Sequence, residues 1–199
     1  KSVFQFQKEI KQIKGVIKKL KSKKIFIYIS SLSVENKKLS NDKYIKNKLQ
    51  IEKIIRESLK EYIIIRLPQV VGKNKNKHTL TNWIFDKVKK KKEFILWKNS
   101  ERNLLDIEDI VSILKKYFKT SPINKSTINI YNPNSISVKI LLKIFGDILR
   151  IEPKFRELKR ENKNINLKTI KNKTKLPKRF YANVIDKKYI NKIIRKYYQ

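Results

Sequence analysis

The sequence contains no cysteine, no methionine, one histidine and only three glycines among its 199 residues. Without cysteine the chain cannot form disulfides, thiolate metal sites or a cysteine nucleophile, and this composition is typical of a reducing compartment. No apolar run approaches the roughly 20 residues that a transmembrane helix needs, and no signal peptide is visible. We therefore expect a cytoplasmic protein that has no membrane partner and no metal site.

The three glycines, Gly15, Gly72 and Gly146, are too far apart in the sequence to form a glycine-rich phosphate-binding turn. Such a turn lets the backbone approach a dinucleotide pyrophosphate at a helix N-terminus, and it needs several closely spaced glycines. We therefore expect that the chain by itself lacks a complete dinucleotide site.

The net charge of +34 is carried mainly by lysines that are spread along the whole sequence. A pI near 10.2 is common in proteins that bind nucleic acid. However, isoleucine and asparagine are abundant too and alanine occurs once, at Ala182, which is the pattern of an AT-rich genome. The one dense cluster, Lys87–Lys92, is interpreted as the solvated end of a helix. Nucleic acid is thus not the expected partner, and a basic nucleic-acid-binding protein with salt-dependent affinity is the alternative.

Short apolar runs alternate with segments of helical periodicity, a pattern that predicts an α/β fold. Strands are predicted at 25–29, 62–66, 94–97, 104–105, 127–131 and 155–158, and helices at 2–20, 44–60, 80–90, 107–118, 138–149 and 189–194. Asp106 and Ser137 are predicted to cap the helices that follow them. The polar segment 162–175 is predicted to be a loop.

One strand and one helix organise the rest of the chain. Ile25–Ile29 is an apolar, β-branched run, typical of a strand that is buried on both faces of a parallel sheet. Ser30 and Ser31 follow at its carboxyl end. After a polar loop a helix begins at Tyr44, and Lys48 lies one turn further along the same helix face.

Tyr44 and Lys48 have the chemistry for proton transfer. A phenol is a poor base at neutral pH, but a lysine cation one helical turn away favours the phenolate. Tyr44 can then exchange a proton with a substrate hydroxyl or carbonyl group, and Ser31 would hydrogen-bond the same oxygen and orient it. A Tyr-x-x-x-Lys pair also occurs by chance in a chain so rich in both residues, so its context decides the interpretation.

Two further motifs supply that context. The order strand, Ser-Ser, loop, Tyr-x-x-x-Lys-x-x-x-Glu helix is followed by a strand ending in Arg-Leu-Pro-x-Val-x-Gly (Arg66–Gly72). Arg102–Ile110 then resembles an Arg-Asp-x-x-x-Val-x-Asp-Val segment, with asparagine in place of the first aspartate and isoleucine in place of both valines. Over most of Ile25–Phe118 the chain resembles the extended short-chain dehydrogenase/reductases, and among them the NAD-dependent nucleotide-sugar epimerase/dehydratase family. The resemblance implies a partial Rossmann-type doubly wound sheet, made of its C-terminal strands, with a small α/β substrate-binding lobe.

The resemblance also implies a division of the chain. Residues 1–72 would be the C-terminal part of an NAD(P)-binding Rossmann domain, and residues 73–199 a substrate-binding lobe interleaved with the last Rossmann elements. The predicted helix at 2–20 resembles the helix that precedes the serine-bearing strand in the family. The family's glycine-rich N-terminal half has no counterpart in the sequence, so we expect the C-terminal portion of a longer protein.

The family's functional residues carry over to the matching positions. The resemblance implies NAD or NADP as the cofactor of the complete enzyme and a nucleotide-sugar as its substrate. The implied residues are Ser31, Tyr44 and Lys48 for catalysis, Tyr44, Lys48 and Pro68 for the cofactor, and Gln69, Asn82 and Arg102 for the substrate. A homodimer formed through the Tyr44–Lys60 helix is implied as well.

Simpler explanations exist for three of these residues. Pro68 can be a plain strand terminator, Asn82 a helix cap, and Arg102 a surface charge in a lysine-rich chain. In the family the arginine holds a substrate phosphate, because a guanidinium offers a planar pair of charged donors. The lone histidine, His78, is predicted to be exposed rather than catalytic.

The reaction is predicted to be epimerisation or reduction. Dehydratases of the family place an Asp-Glu pair directly after the serine or threonine, whereas Leu32-Ser33 follows Ser31 here. The family's usual Val-Tyr-Gly is replaced by Val34-Glu35-Asn36, so the motif does not identify the substrate. A catalytically inactive remnant of the family is the alternative.

Overall fold

The structure is a computed structural model that describes residues 3–20, 24–120, 125–159, 164–165, 167, 170 and 188–199. The chain divides into two compact units. The first unit comprises Lys1–Leu67, Lys115–Ile130 and Ile165–Leu176, and the second comprises Pro68–Leu114, Tyr131–Asn164 and Pro177–Gln199.

Helices and strands alternate along the described chain. The helices are α1 (Val3–Lys19), α2 (Lys43–Ser58), α3 (Leu80–Lys89), α4 (Ile107–Thr120), α5 (Val138–Leu149) and α6 (Tyr189–Tyr198). The strands are β1 (Phe26–Ser31), β2 (Tyr62–Leu67), β3 (Gln69–Val71), β4 (Phe94–Trp97), β5 (Glu101–Arg102), β6 (Leu104–Asp106), β7 (Ser126–Asn129), β8 (Ile136–Ser137) and β9 (Phe155–Leu158). Every predicted helix and strand is confirmed, with ends that shift by a few residues. The predicted loop at 162–175 lies mostly outside the described residues.

The first unit contains a parallel sheet of three strands in the order β1-β2-β7. Phe26 lies beside Tyr62 in the pairing of β1 with β2, and Ile63 lies beside Ser126 in the pairing of β2 with β7. The central strand β2 is buried along nearly its whole length. An almost continuous apolar run is what a central strand of a parallel sheet requires.

Helices α1 and α2 pack on one face of β1 and β2. The core on this face consists of buried apolar residues (Tyr28, Ile51, Ile55, Tyr62 and Ile64), with Ile10, Ile13, Ile17, Phe26 and Leu59 packed against them. These side chains meet because the helical residues recur at intervals of three to four positions and the strand residues at intervals of two. Burying one such side chain stabilises the fold by about 1.5–3 kcal/mol.

The other face of β1 differs from the prediction of a strand buried on both faces. Tyr28 and Ser30 are buried, whereas Ile27 and Ile29 are 48% and 50% exposed. Strand β1 pairs with β2 along one edge, and no described residue pairs with its other edge. Within the described residues, β1 therefore ends the sheet and keeps one apolar face open.

The second unit combines strand pairs with helices α3, α5 and α6. β3 pairs with β6 and β4 with β9 in parallel, while β5 pairs with β8 in the antiparallel sense. An aromatic cluster joins the helices, because the Tyr198 ring lies 5.1 Å from both Phe85 and Phe145 between centroids. Gly146 in α5 allows the following turn to approach the helix closely, since a Cβ there would lie 2.9 Å from the Ile151 carbonyl oxygen.

Together these elements form a mixed α/β architecture with parallel strands, which is a partial Rossmann-like fold, as predicted. No helix in the described ranges is long and apolar enough to cross a membrane.

Candidate functional site

Ser31 ends β1 and caps the turn that follows it. Its Oγ accepts a hydrogen bond from the backbone N–H of Ser33 at 3.2 Å, which fixes the start of the 3-10 turn Leu32–Glu35. The side chain is half-buried. Ser31 thus lies at the carboxyl end of the parallel sheet, where ligands of doubly wound folds bind.

Tyr44 is the second residue of α2, and Asp42 holds this end of the helix. The Asp42 carboxylate accepts hydrogen bonds from the backbone N–H groups of Tyr44 at 2.8 Å and Ile45 at 3.2 Å, a typical N-cap. The Tyr44 side chain is 37% exposed. No described residue hydrogen-bonds its hydroxyl group, so the phenol is accessible to a ligand.

Lys48 is buried, and its ammonium group has three neighbours. Nζ donates to Glu9 Oε1 at 2.8 Å and to the Tyr28 hydroxyl at 2.9 Å, and it lies 5.7 Å from the centroid of the Tyr44 ring. Burial alone would lower the pKa of Lys48, but the hydrogen bonds to Glu9 and Tyr28 more than offset burial and raise the pKa. Lys48 is therefore a fixed cation beside Tyr44.

Glu9 is a member of this cluster that sequence reasoning missed. Its second oxygen, Oε2, accepts a hydrogen bond from Asn47 Nδ2 at 3.1 Å. Glu9 belongs to α1 and Asn47 to α2, so the contact depends on how two helices pack. Helical periodicity identifies each helix but does not specify which polar residues meet across them.

A second buried cluster lies in the first unit around Glu52, which is 0% exposed. Its carboxylate accepts hydrogen bonds from Ser30 Oγ at 2.7 Å, Arg66 Nε at 2.9 Å and Arg56 Nη2 at 2.6 Å. Glu35 also pairs with Arg66. Burial raises the pKa of Glu52, but the hydrogen bonds from Arg66 and Ser30 outweigh burial and lower it. This cluster fixes the residue before Ser31 against α2 and β2.

Pro68 and Gln69 follow directly after β2. Pro68 lies between the last residue of β2 and the first residue of β3, so it interrupts the extended chain rather than ending it. Gln69 is exposed, and its backbone N–H donates to the Asn103 carbonyl at 3.1 Å. The sequence does not predict strand β3, because a proline at the end of a strand favours its termination.

Asn82 anchors a loop and is not the cap of α3. Its Nδ2 donates to the carbonyl oxygens of Asn74 at 3.2 Å and Asn76 at 2.9 Å, and its Oδ1 accepts from the Tyr198 hydroxyl. The N-cap residue of α3 is Thr79. The capping explanation for Asn82 is therefore wrong, and its amide closes the loop before α3.

Arg102 lies in β5 and is half-buried. Its Nη1 donates to the carbonyl of Glu101 at 2.8 Å, and no described carboxylate forms an ion pair with it. Burial lowers the pKa of Arg102. A partly buried guanidinium without an anionic partner among the described residues is well suited to bind an anionic ligand.

Asp106 is the centre of a further cluster that the sequence did not indicate. Its carboxylate accepts hydrogen bonds from the Tyr197 hydroxyl at 2.7 Å and from Lys196 Nζ at 3.0 Å. The Tyr189 hydroxyl donates to Asp109 at 2.6 Å and accepts from the Asp106 backbone N–H at 2.8 Å. These contacts fasten α6 to the junction of β6 and α4. Asp106 also accepts from the Glu108 N–H at 3.0 Å, as its predicted capping role requires.

Each unit contains part of the predicted set. Ser31, Tyr44 and Lys48 belong to the first unit, where Tyr44 and Lys48 are in contact. The second unit begins at Pro68 and contains the predicted substrate residues, Gln69, Asn82 and Arg102. His78 is exposed, and its backbone N–H donates to Asn76 Oδ1, whereas no described residue hydrogen-bonds its side chain.

None of the three glycines lies in a phosphate-binding turn. Gly15 lies within α1 and Gly146 within α5. Gly72 follows β3, where an added Cβ would lie 2.8 Å from Ile107 Cγ2, so this glycine is required by side-chain packing. Among the described residues no glycine-rich turn is placed to hold the pyrophosphate of a dinucleotide, whereas the buried cation of Lys48 beside the accessible Tyr44 fits a polar ligand group. In the described ranges, no group of three His, Asp or Glu residues is placed to hold a metal ion.

Comparison with known proteins places the sequence in one family. Residues 21–130, more than half of the chain, match the model of the NAD dependent epimerase/dehydratase family. No curated protein matches the sequence.

Solved structures of similar fold are longer than this chain. UDP-glucuronic acid 4-epimerase from Bacillus cereus, in complex with UDP-glucuronic acid and NAD, is 16% identical with a TM-score of 0.66, covering 94% of this chain and 67% of its own. The enzyme WbmH from Bordetella bronchiseptica, in complex with NAD+, is 14% identical with a TM-score of 0.66 and coverages of 93% and 64%. The dTDP-glucose 4,6-dehydratase from Bacillus anthracis, in complex with NAD, is 12% identical with a TM-score of 0.62 and coverages of 96% and 65%.

The match also extends to MoeE5 in complex with UDP-glucuronic acid and NAD, of which this chain covers 57%. At these identities the likeness concerns the fold, and the chain spans between half and two thirds of the length of the similar structures. The fold, the ordered motifs and the family match over residues 21–130 agree, and the chain belongs to the NAD-dependent epimerase/dehydratase family.

Proposed function

We propose that the chain is the C-terminal part of an NAD(P)-dependent nucleotide-sugar epimerase or reductase. In this proposal Ser31, Tyr44 and Lys48 transfer a proton to or from the substrate. The contact between Tyr44 and Lys48, with 5.7 Å between Nζ and the ring centroid, is the observation that carries the proposal. Membership of the family supports the reaction class.

Tyr44 is the group that would exchange the proton. Its hydroxyl is accessible and is not hydrogen-bonded by any described residue, so a substrate oxygen can approach it. The Lys48 cation favours a negative charge on the phenol oxygen during transfer. Ser31 would hydrogen-bond the same substrate oxygen, because it lies at the carboxyl end of β1, the strand that leads into the α2 helix.

Tyr44, Lys48 and Pro68 would hold the nicotinamide end of NAD or NADP. The Lys48 ammonium has three donors, and Glu9 and Tyr28 use two of them, which leaves one for a ligand. The cofactor, when bound, supplies hydride transfer. We infer that a dinucleotide-binding segment outside these 199 residues binds the pyrophosphate. The open edge of β1 and the exposed faces of Ile27 and Ile29 support this inference.

Gln69, Asn82 and Arg102 would bind the nucleotide-sugar. The half-buried Arg102 carries the strongest argument, because its charge has no carboxylate partner among the described residues. A diphosphate accepts two parallel hydrogen bonds from a guanidinium, which gives both charge pairing and orientation. UDP-glucose and UDP-glucuronic acid, which are bound to structures of similar fold, are suitable first substrates to test.

The proposed division of the complete enzyme follows the sequence motifs. Residues 1–72 would complete the Rossmann domain, and residues 73–199 would form the substrate lobe together with the last Rossmann elements. We also propose a homodimer formed through the helix predicted at Tyr44–Lys60, since Leu49 of α2 is exposed although apolar. Sedimentation of the wild type and of Leu49→Lys would test this, because only a dimer built on α2 would be weakened by the lysine.

Tyr44→Phe in the complete enzyme, meaning this chain together with a dinucleotide-binding segment, tests the proposed reaction. We expect kcat with UDP-glucose to fall by about 10²–10⁴, the usual effect of removing a general acid or base, with little change in substrate affinity. Tyr117→Phe is the matched control, because the one hydrogen bond of the Tyr117 hydroxyl among the described residues is long, at 3.4 Å to Ser126, and its loss should not affect turnover.

Two outcomes would reject parts of the proposal. An unchanged kcat in Tyr44→Phe would exclude Tyr44 as the proton-transferring group. A wild-type complete enzyme that binds NAD and UDP-glucose but turns over no nucleotide-sugar would identify the inactive remnant instead.

A further inference from the structure

The ammonium of Lys48 is held by a carboxylate from another helix. Glu9 of α1 binds Lys48 Nζ with one oxygen at 2.8 Å and Asn47 Nδ2 with the other at 3.1 Å. The Tyr28 hydroxyl accepts a second hydrogen bond from the same Nζ at 2.9 Å. Lys48 is therefore held by two residues, Glu9 and Tyr28, that are not part of the proposed catalytic set.

The abundance of lysines in this chain does not explain why Glu9 pairs with Lys48. Glu9 is the only acidic residue among the first 34 residues, a segment crowded with lysines, yet it meets a lysine of another helix that is 8% exposed. A surface carboxylate in this chain could pair with many exposed cations at little desolvation cost. The pairing with a buried cation thus requires the particular packing of α1 against α2.

Asn47 gives a second indication that the carboxylate is oriented. Its side chain is buried, and its Oδ1 has no hydrogen-bond partner among the described residues, which is unfavourable. Its Nδ2 nevertheless donates to Glu9 Oε2. The amide therefore fixes the rotation of the Glu9 carboxylate and directs the other oxygen to Lys48.

We propose that Glu9 is a positioning residue of the candidate site, which acts through Lys48 and not on the substrate. It keeps the ammonium 5.7 Å from the Tyr44 ring, in a fixed orientation that leaves one N–H donor for a ligand. The role in turnover rests on the proposed function of Tyr44 and Lys48, whereas the contact itself can be tested without cofactor or substrate.

Nitrogen-15 NMR of the lysine ammonium groups in the 199-residue chain at neutral pH tests the contact. The Lys48 ammonium should give a signal with slow proton exchange, and Lys48→Met assigns this signal by removing it. In Glu9→Gln we expect its exchange with water to accelerate by about ten- to a hundredfold, the range that corresponds to losing a hydrogen bond to a charged group. Glu57→Gln is the matched control. It removes the exposed partner of Lys53 in α2, the helix that also contains Lys48, and should leave the Lys48 ammonium signal unchanged.

Circular dichroism establishes that the Glu9→Gln chain is folded. Should it unfold, Glu9→Asp keeps the charge with a shorter reach, and we expect an intermediate exchange rate. Slow exchange that persists in whichever of these variants is folded would overturn the proposal.

The functional role is tested separately in the complete enzyme. Glu9→Gln should lower kcat several-fold and leave KM for UDP-glucose unchanged, since Glu9 does not touch the substrate. An unchanged kcat would reduce Glu9 to a structural residue. If instead Tyr44→Phe leaves kcat unchanged while the NMR result holds, the proposed function fails and the contact between Glu9 and Lys48 stands.

Discussion

Arg66 and Glu52 are joined by two hydrogen bonds between the guanidinium and the carboxylate, one of them 2.9 Å long from Nε to Oε1. Arg66 lies in β2 and Glu52 in α2, so the pair ties the central strand of the first unit to the helix that carries Tyr44 and Lys48. Both charges are largely removed from solvent. Such a pair contributes little relative to an apolar substitute, but losing one partner leaves the other charge buried.

Glu52→Gln should lower the free energy of unfolding by about 3 kcal/mol at pH 7, because Arg66 then keeps only the Glu35 carboxylate and Arg56 loses its carboxylate partner. Glu57→Gln, which breaks the exposed pair with Lys53 on the same helix, should change stability by less than about 0.5 kcal/mol. Urea denaturation of both variants measures the difference. Equal stability of the two variants would contradict the structural role of the pair.

The same pair predicts a loss of stability in acid. The pKa of Glu52 is lower in the folded chain than the ordinary value of about 4.3, so its stabilising contribution is present above that value. It is lost as the pH falls from about 4.3 through the folded-state pKa. Wild-type stability should therefore fall more steeply than that of Glu52→Gln over this interval.

Two isoleucines of the same sheet should respond differently to truncation. Ile64 in β2 is fully buried in the core under α2, and Ile64→Ala should cost about 2–5 kcal/mol. Ile29 in β1 is half exposed, and Ile29→Ala should cost less than about 1 kcal/mol. Thermal unfolding of the chain by itself gives both values. A large loss for Ile29→Ala would mean that the open face of β1 is covered in solution.

The glycines provide a second matched pair. Apart from the backbone of α1 itself, an added Cβ at Gly15 meets no described atom within 4 Å, so Gly15→Ala should stabilise the chain by about 0.5–1 kcal/mol. At Gly146 the same atom would lie 2.9 Å from both the Ile151 carbonyl oxygen and Pro153 Cδ, and Gly146→Ala should cost about 1–3 kcal/mol. Opposite shifts of Tm are expected, and shifts of equal sign would contradict the close approach at Gly146.

Arg102→Lys tests the proposed substrate contact in the complete enzyme. An ammonium cannot reproduce the planar pair of donors, so the affinity for UDP-glucose should fall by about ten- to a hundredfold although the charge is kept. Arg156→Lys is the control, because Arg156 is an exposed arginine of the same unit that pairs with Glu93 at 3.1 Å. Calorimetry measures both affinities. An unchanged affinity in Arg102→Lys would contradict the proposed contact between Arg102 and the substrate.

Much of the fold could be predicted because the periodic patterns are strong. Ile107, Ile110 and Leu114 mark α4, and Ser137 caps α5 by accepting from the Lys139 N–H, as its position predicts. These elements depend on local sequence alone. The short strands β3, β5 and β8 are not predicted, although the equally short β6 is, because they exist through pairing with residues that are distant in the sequence.

The candidate site was predictable only in part, because some of its contacts are local in the sequence and others join distant residues. Tyr44 and Lys48 are separated by one helical turn, so their contact follows from the sequence. The contacts of Lys48 with Glu9 and Tyr28 join residues 39 and 20 positions apart and arise from tertiary packing. Glu52 and Arg66 each belong to a motif of the sequence, since the helix motif ends in Glu52 and the following motif begins with Arg66. No spacing rule predicts that the two residues pair.

The pairing of β2 with β7 has a consequence for how the chain folds. Ile63 and Ser126 are neighbours in the sheet but are separated by about 60 residues, most of which belong to the second unit. Pairing between strands so far apart in the sequence raises the contact order of the chain, and a high contact order slows folding. During synthesis β2 has only β1 beside it until residue 129 leaves the ribosome, so the first unit completes its sheet late. The docking of β7 is therefore the step expected to limit the refolding rate of the first unit.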